Sequence, residues 1–178
     1  MLISLVVTVI GPDRPGLVSL ISDRGKAFGA SWAESRMASL AGQFAGIVHF
    51  SVPSESAAAL ANGLRELAAT GLNVLIAEST GAPSSTDSRL LELELVGQDR
   101  PGIVRDISHA LADSGISIEE LHTQVVSGAW SAEQLFEVKA LLRVPQALAT
   151  EDLRRRLETL ANEMMVDITL DESVRVPL

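Results

Sequence analysis

Sliding the chain along itself by 86 positions sets Gly11 on Gly97 and Asp13-Arg14-Pro15-Gly16 on Asp99-Arg100-Pro101-Gly102. The match runs on through Val18/Val104, Ile21/Ile107, Ser22/Ser108, Gly29/Gly115, Ser31/Ser117 and Glu34/Glu120. That makes 11 identities over the 24 positions from Gly11 to Glu34, without a gap. Further along the offset becomes 92, where Val52-Pro53 meets Val144-Pro145. The second copy therefore carries six extra residues around Gly128-Ala129-Trp130-Ser131, read as a longer hairpin loop. A chain that repeats itself this closely folds as two copies of one unit. We assign residues 1–80 to the first module, 81–88 to a linker and 89–178 to the second. The linker, Gly81-Ala82-Pro83-Ser84-Ser85-Thr86-Asp87-Ser88, is small, polar and proline-containing, as linkers are.

Each copy opens on a strand. Leu91, Leu93 and Leu95 alternate with Glu92 and Glu94, giving one buried and one wet face. The aligned strand of the first copy buries Leu5, Val7 and Val9. A glycine turn follows, then a helix expected to open at Pro15 or Pro101, since proline suits the first helical position. Its apolar stripe is Leu17, Val18, Ile21 and Phe28 in one copy and Ile103, Val104, Ile107 and Leu111 in the other, ending at Gly29 or Gly115. Two strands come next, Trp32–Leu40 and Phe44–Val52, with counterparts at Ile118–Val126 and Leu135–Val144. A second helix starts near Ser54 or Thr150, both good N-caps. It repeats Leu60, Leu64 and Leu67, or Leu153, Leu157 and Leu160. A last strand, Asn73–Glu78 or Val166–Leu170, closes the unit.

The order β-α-β-β-α-β with right-handed crossovers gives an α+β, ferredoxin-like unit: a four-stranded antiparallel sheet with two helices on one face. Its open sheet edges are a liability that two tandem copies can remove by pairing. The expectation is a pseudo-twofold arrangement with one continuous eight-stranded sheet.

Asp-Arg-Pro-Gly between a strand and a helix has two readings. Helix N-termini present unpaired N–H groups and partial positive charge, which hold a carboxylate or phosphate. The glycine lets a ligand approach the backbone, and the aspartate accepts hydrogen bonds from an ammonium, so the loop suits a zwitterion such as an amino acid. Alternatively the aspartate caps, the proline starts the helix and the glycine packs. The residues alone leave both readings open.

The pattern of strand, G-x-D-R-P-G-[LIV]-[LIV], helix, then Gly-x-x-[ILW] before the next strand resembles the ACT domain, twice, from about Leu2 to Glu172. The resemblance implies small regulatory modules that commonly bind amino acids where modules pair. The whole chain, with its Gly115-Ile116-Ser117-Ile118-Glu119-Glu120-Leu121 run, is similar to the glycine cleavage system transcriptional repressor family. That implies a regulator acting through a DNA-bound partner protein. Many amino-acid-binding ACT modules have asparagine where Ser31 and Ser117 stand. The candidate ligand-binding set is Gly11, Pro12, Asp13, Arg14, Pro15, Gly16, Leu17, Ser31 and Glu34, with Gly97, Gln98, Asp99, Arg100, Pro101, Gly102, Ile103, Ser117 and Glu120.

Other chemistry finds no constellation. His49, His109 and His122 show no metal-ligand spacing, so no metal or cofactor is expected. His122 follows Glu120 by two residues on a strand, so both face one side. No Gly-Lys-Ser/Thr follows the loop, so it is not a P-loop. Asp13 and Asp99 belong to different copies and do not read as a paired-carboxylate site. Trp32 and Trp130 are too isolated for a nucleic-acid platform and read as core or interface. A net charge of −9 with two lysines, Lys26 and Lys139, argues against direct nucleic-acid binding. The run Arg154-Arg155-Arg156 reads as a solvated helical face. The absence of cysteine excludes disulfides and thiol catalysis and fits a reducing cytoplasm. The apolar opening Met1–Ile10 is too short to span a bilayer, so no membrane association is expected. Formyltetrahydrofolate deformylases begin with a similar module, but their hydrolase part has no counterpart here. The expectation is a regulator, not an enzyme, binding glycine or a similar small amino acid and a transcription factor. The alternative is a regulatory subunit of an amino-acid biosynthetic enzyme, and further pairing of chains stays open.

Overall fold

Strand alternation carries directly into three dimensions. β1 (Leu2–Pro12) turns Leu5, Val7 and Val9 into the first core, and β5 (Ser88–Gln98) turns Leu91, Leu93 and Leu95 into the second. The structure is a computed structural model and describes residues 1–79, 87–127 and 133–172. The first module continues with α1 (Leu17–Ala27), β2 (Ser31–Leu40), β3 (Gln43–Pro53), α2 (Ser54–Arg65), a 3-10 turn over Glu66–Thr70, and β4 (Asn73–Ser79). The second runs α3 (Ile103–Asp113), β6 (Ser117–Ser127), β7 (Gln134–Pro145), α4 (Thr150–Met164) and β8 (Val166–Glu172). The chain divides into two units, Met1–Pro83 and Ser84–Leu178. Most of the expected linker, and the expected insertion at 128–131 with Trp130, lie outside the described residues.

Both sheets are antiparallel, in the orders β2-β3-β1-β4 and β6-β7-β5-β8. The α+β, βαββαβ expectation is what the protein adopts. Each module thus holds a complete four-stranded sheet of its own. The edges carry their own protection. β2 is bulged between Trp32 and Glu34, β6 between Ile118 and Glu120, and both place charged side chains along the edge. Bulges and charge are the usual means of blunting an open strand.

One face of each sheet is covered by its two helices. α1 buries Leu17, Ile21 and Gly25, and α2 buries Ala57, Leu60, Ala61, Gly63 and Leu64 against Val48, Phe50 and Val52. Trp32 is half-buried and meets Phe50 edge-on, with ring centroids 5.4 Å apart. α3 and α4 do the same with Ile103, Ile107, Leu111, Leu153 and Leu157. No polar or charged side chain is buried among the described residues, so the cores are purely apolar.

Several local expectations change. Val18 and Val104 face outward, 47% and 40% exposed, because the stripe follows positions 17, 21 and 25 and their equivalents. Ser54 and Thr150 are the first helical residues, not the caps; Pro53 and Ala149 hold the cap positions without side-chain bonds. Arg154, Arg155 and Arg156 are exposed as expected. Arg154 also donates to the Leu170 carbonyl at 3.3 Å and Arg156 to Ser114 Oγ at 3.1 Å.

Candidate functional site

The repeated loop joins β1 to α1 and β5 to α3, beside the helix N-termini. Gly11 lies at the end of β1 because nothing larger fits: a Cβ there would sit 2.5 Å from the Gly71 carbonyl oxygen. At Gly97 it would sit 2.3 Å from Val166 Cγ1. Gly16 and Gly102 are the helix N-caps, with φ of 92° and 99°. These left-handed values strain any residue with a Cβ. Leu17 and Ile103 are therefore the first helical residues and plug the cores, while Pro15 and Pro101 stand before the cap. The expected opening of the helix at proline is displaced by two residues, because glycine's backbone conformation sets the start.

The aspartates do not cap. Each pins its loop through its backbone, Asp13 N–H donating to Gly42 at 2.9 Å and Asp99 N–H to Gln134 at 3.0 Å. The side chains of the two copies then diverge. Asp13 accepts a hydrogen bond from Ser39 Oγ at 2.5 Å, and Arg14 donates to the Thr70 carbonyl at 3.0 Å. The register puts Ser39 opposite Phe44 and Val125 opposite Phe136, so Val125 stands where Ser39 does and has no hydroxyl to offer Asp99. Among the described residues, Asp99 and Arg100 make no side-chain hydrogen bond or ion pair. Arg100 instead lines a groove of about 500 Å³ between α3 and α4, with Arg105, Asp106, His109, Asp113 and Glu163. The i, i+3, i+7 spacing of Asp106, His109 and Asp113 marks this face of α3 in the sequence, though none of the three is in the candidate set.

The strand members of the candidate set lie elsewhere. Ser31 is in the cross-strand row of Ser51 and Ser4, eight residues up β1 from Pro12, or about 27 Å at the rise of a strand. Glu34 shares the row of His49 and Val6, about 20 Å from the loop by the same measure. Ser117 and Glu120 repeat this displacement in the second sheet, through Leu90 and Glu92. Within a module these residues are not brought to the loop. Glu120 and His122 do share a face: both line a depression of about 250 Å³ on the outer side of the second sheet, with Glu92, Glu94, Lys139 and Leu141. Lys139 is held protonated above the usual lysine range, first by its hydrogen bond to Glu94 and then by that carboxylate's charge, at 2.8 Å. The same pairing with Glu119, at 2.7 Å, raises Arg143. No cluster of three or more potential metal ligands occurs among the described residues. None of their helices is long and apolar enough to cross a membrane.

The model of the ACT domain matches residues 4–74 and 89–171, once over each module. The chain belongs to the ACT-domain family. A crystal structure of an unknown protein from Galdieria sulphuraria superposes with a TM-score of 0.87 at 32% identity, covering 98% of this ACT protein and 100% of that chain. A second crystal structure, provisionally described as a glycine cleavage system transcriptional repressor, gives 0.72 at 19% identity over 96% and 97% of the two chains. At that identity the likeness establishes the tandem ACT fold alone. No curated protein matches the chain.

Proposed function

We propose that this ACT protein is a regulator that responds to a small amino acid and passes the signal to a protein partner, with the second module's loop as the sensing element. The observation that supports it most is the uncommitted pair Asp99–Arg100 beside the N-terminus of α3 and the groove between α3 and α4. Arg100 and the first-turn amides of α3 offer donors to a carboxylate, and Asp99 offers acceptors to an ammonium. This chemistry holds a zwitterion and leaves nothing activated for bond cleavage, so we read the protein as a binder and not a catalyst. In the first module the same side chains are spent on the fold, which makes that loop a structural copy.

The partner we propose is a DNA-bound transcription factor, a reading in keeping with the transcriptional role named for the second structural neighbour, with the protein working in the cytoplasm. A net charge of −9 supports contact with a protein over contact with DNA. A thermal-shift screen across the amino acids tests the sensing role. A ligand at 100 times its Kd should stabilise the protein by about 2.7 kcal/mol. A flat response from every amino acid would remove it. Affinity capture with and without the ligand then tests the partner: a DNA-binding regulator supports the reading, whereas a biosynthetic enzyme would replace it with control of that enzyme.

A further inference from the structure

Both repeated loops hang on the same backbone frame. In the first module Gly11, Phe44 and Ser39 form one cross-strand row. The Asp13 amide donates at 2.9 Å to the carbonyl of Gly42, two residues before that phenylalanine. In the second module Gly97, Phe136 and Val125 form the equivalent row. There the Asp99 amide donates at 3.0 Å to the carbonyl of Gln134, again two residues before the phenylalanine. Phe44 and Phe136 both pack against their cores, so each row faces the helices, the side on which the loop lies. With the backbone fixed alike in the two copies, the side chain at position 39 or 125 is what differs. Ser39 Oγ donates to Asp13 Oδ2 at 2.5 Å. Val125, 47% exposed, brings only methyl groups, and among the described residues the Asp99 side chain accepts no hydrogen bond.

We propose that this strand position decides which loop takes a ligand: a hydroxyl there locks the aspartate, and a methyl leaves it free to receive the ligand's ammonium. The proposal rests on the sensing role argued above and names the residue that assigns that role to one copy. A hydroxyl bonded to the carboxylate occupies one of its acceptor positions, fixes its rotamer and offsets part of the charge that draws an ammonium. The other hold on the first loop, Arg14 on the Thr70 carbonyl, is made to the main chain. The hydroxyl is therefore the hold that one side-chain substitution can add or remove. Threonine at 125 tests this cleanly. It keeps the branched shape and the strand preference of valine, and exchanges one methyl for a hydroxyl. The shared frame places that hydroxyl where Ser39 reaches Asp13.

Calorimetry on the full chain, with glycine first and the other amino acids in turn, compares wild type with Val125→Thr. The variant should bind about three- to tenfold more weakly, the worth of one hydrogen bond to a carboxylate. Its midpoint in urea should rise, because the new bond holds the folded loop. A substitution that merely disturbed the module would lower stability and affinity together. In the first module Ser39→Ala should lower the midpoint and Ser39→Thr should keep it. Carbon-13 NMR reads the lock without any ligand: the Asp99 carboxylate resonance should move in Val125→Thr, and that of Asp13 in Ser39→Ala. An Asp99 resonance that stays in place overturns the proposal. So does equal affinity in wild type and Val125→Thr, which leaves the sensing role standing. A wild type silent to every amino acid removes the sensing role itself, and the proposal with it.

Discussion

Gly16 and Gly102 hold positive φ in open surroundings, with nothing within 4 Å of the position a Cβ would take at Gly16. The demand there is conformational and not steric. Gly16→Val should therefore destabilise the protein by about 1–2 kcal/mol in urea melts, and Gly16→Asn by less, because asparagine tolerates the left-handed region. Blocking ligand approach with a bulky residue at these glycines would confound binding with strain, which is why charge-removing variants are the better probes. Arg14→Gln should cost about 0.5–1 kcal/mol through its lost bond to Thr70, whereas Arg100→Gln should leave stability unchanged. The Lys139–Glu94 pair gives a pH test. Because the pairing raises the lysine's pKa in the folded state, its small contribution is complete below the usual lysine range, near pH 10, and fades as pH rises through the higher folded value. NMR titration should find the Lys139 pKa lower in Glu94→Gln; an unchanged value would discount the pair.

Among the elements, what the sequence made legible were those features written in side-chain period. Leu5-Val7-Val9 and Leu91-Leu93-Leu95 fell where alternation put them, and the six strands with expected bounds began and ended within two residues of them. The offset of 92 between β3 and β7 is visible in the shared pairing of Gly11 with Phe44 and of Gly97 with Phe136. Backbone dihedrals leave a fainter mark. The start of α1 at Leu17 depended on Gly16 adopting φ of 92°, and proline's preference for the first helical position pointed two residues too early. The 3-10 turn over Glu66–Thr70 was missed because Leu67 continues the helical stripe of Leu60 and Leu64 unbroken. The candidate site was legible as a loop, but not as two unequal loops, although Val125 in place of Ser39 already showed it at the 86-residue offset. The fully buried Leu60 and Leu64 anchor α2 to its sheet, and Leu64→Ala should cost about 2–5 kcal/mol by denaturant melts. A loss below 1 kcal/mol would mean that the helix is held some other way.

At the scale of the whole molecule, the two copies of the repeat have diverged in their side chains. The first module keeps its loop side chains bonded within the fold. Among the described residues, the second leaves the Asp99 and Arg100 side chains without a hydrogen bond or ion pair and lines its outer sheet face with carboxylates. With a net charge of −9 the purified protein should not shift duplex DNA in a gel at moderate salt. A sequence-dependent shift by the protein alone would contradict a role exercised through a partner. The central claim is that one loop senses and the other holds the fold. Isothermal calorimetry with glycine and other small amino acids, on wild type, Arg14→Gln and Arg100→Gln, tests it most directly. The account predicts binding by wild type and Arg14→Gln, and affinity at least about tenfold weaker in Arg100→Gln, the loss of one charged hydrogen bond. No heat from any amino acid, or equal affinity in wild type and Arg100→Gln, would contradict it.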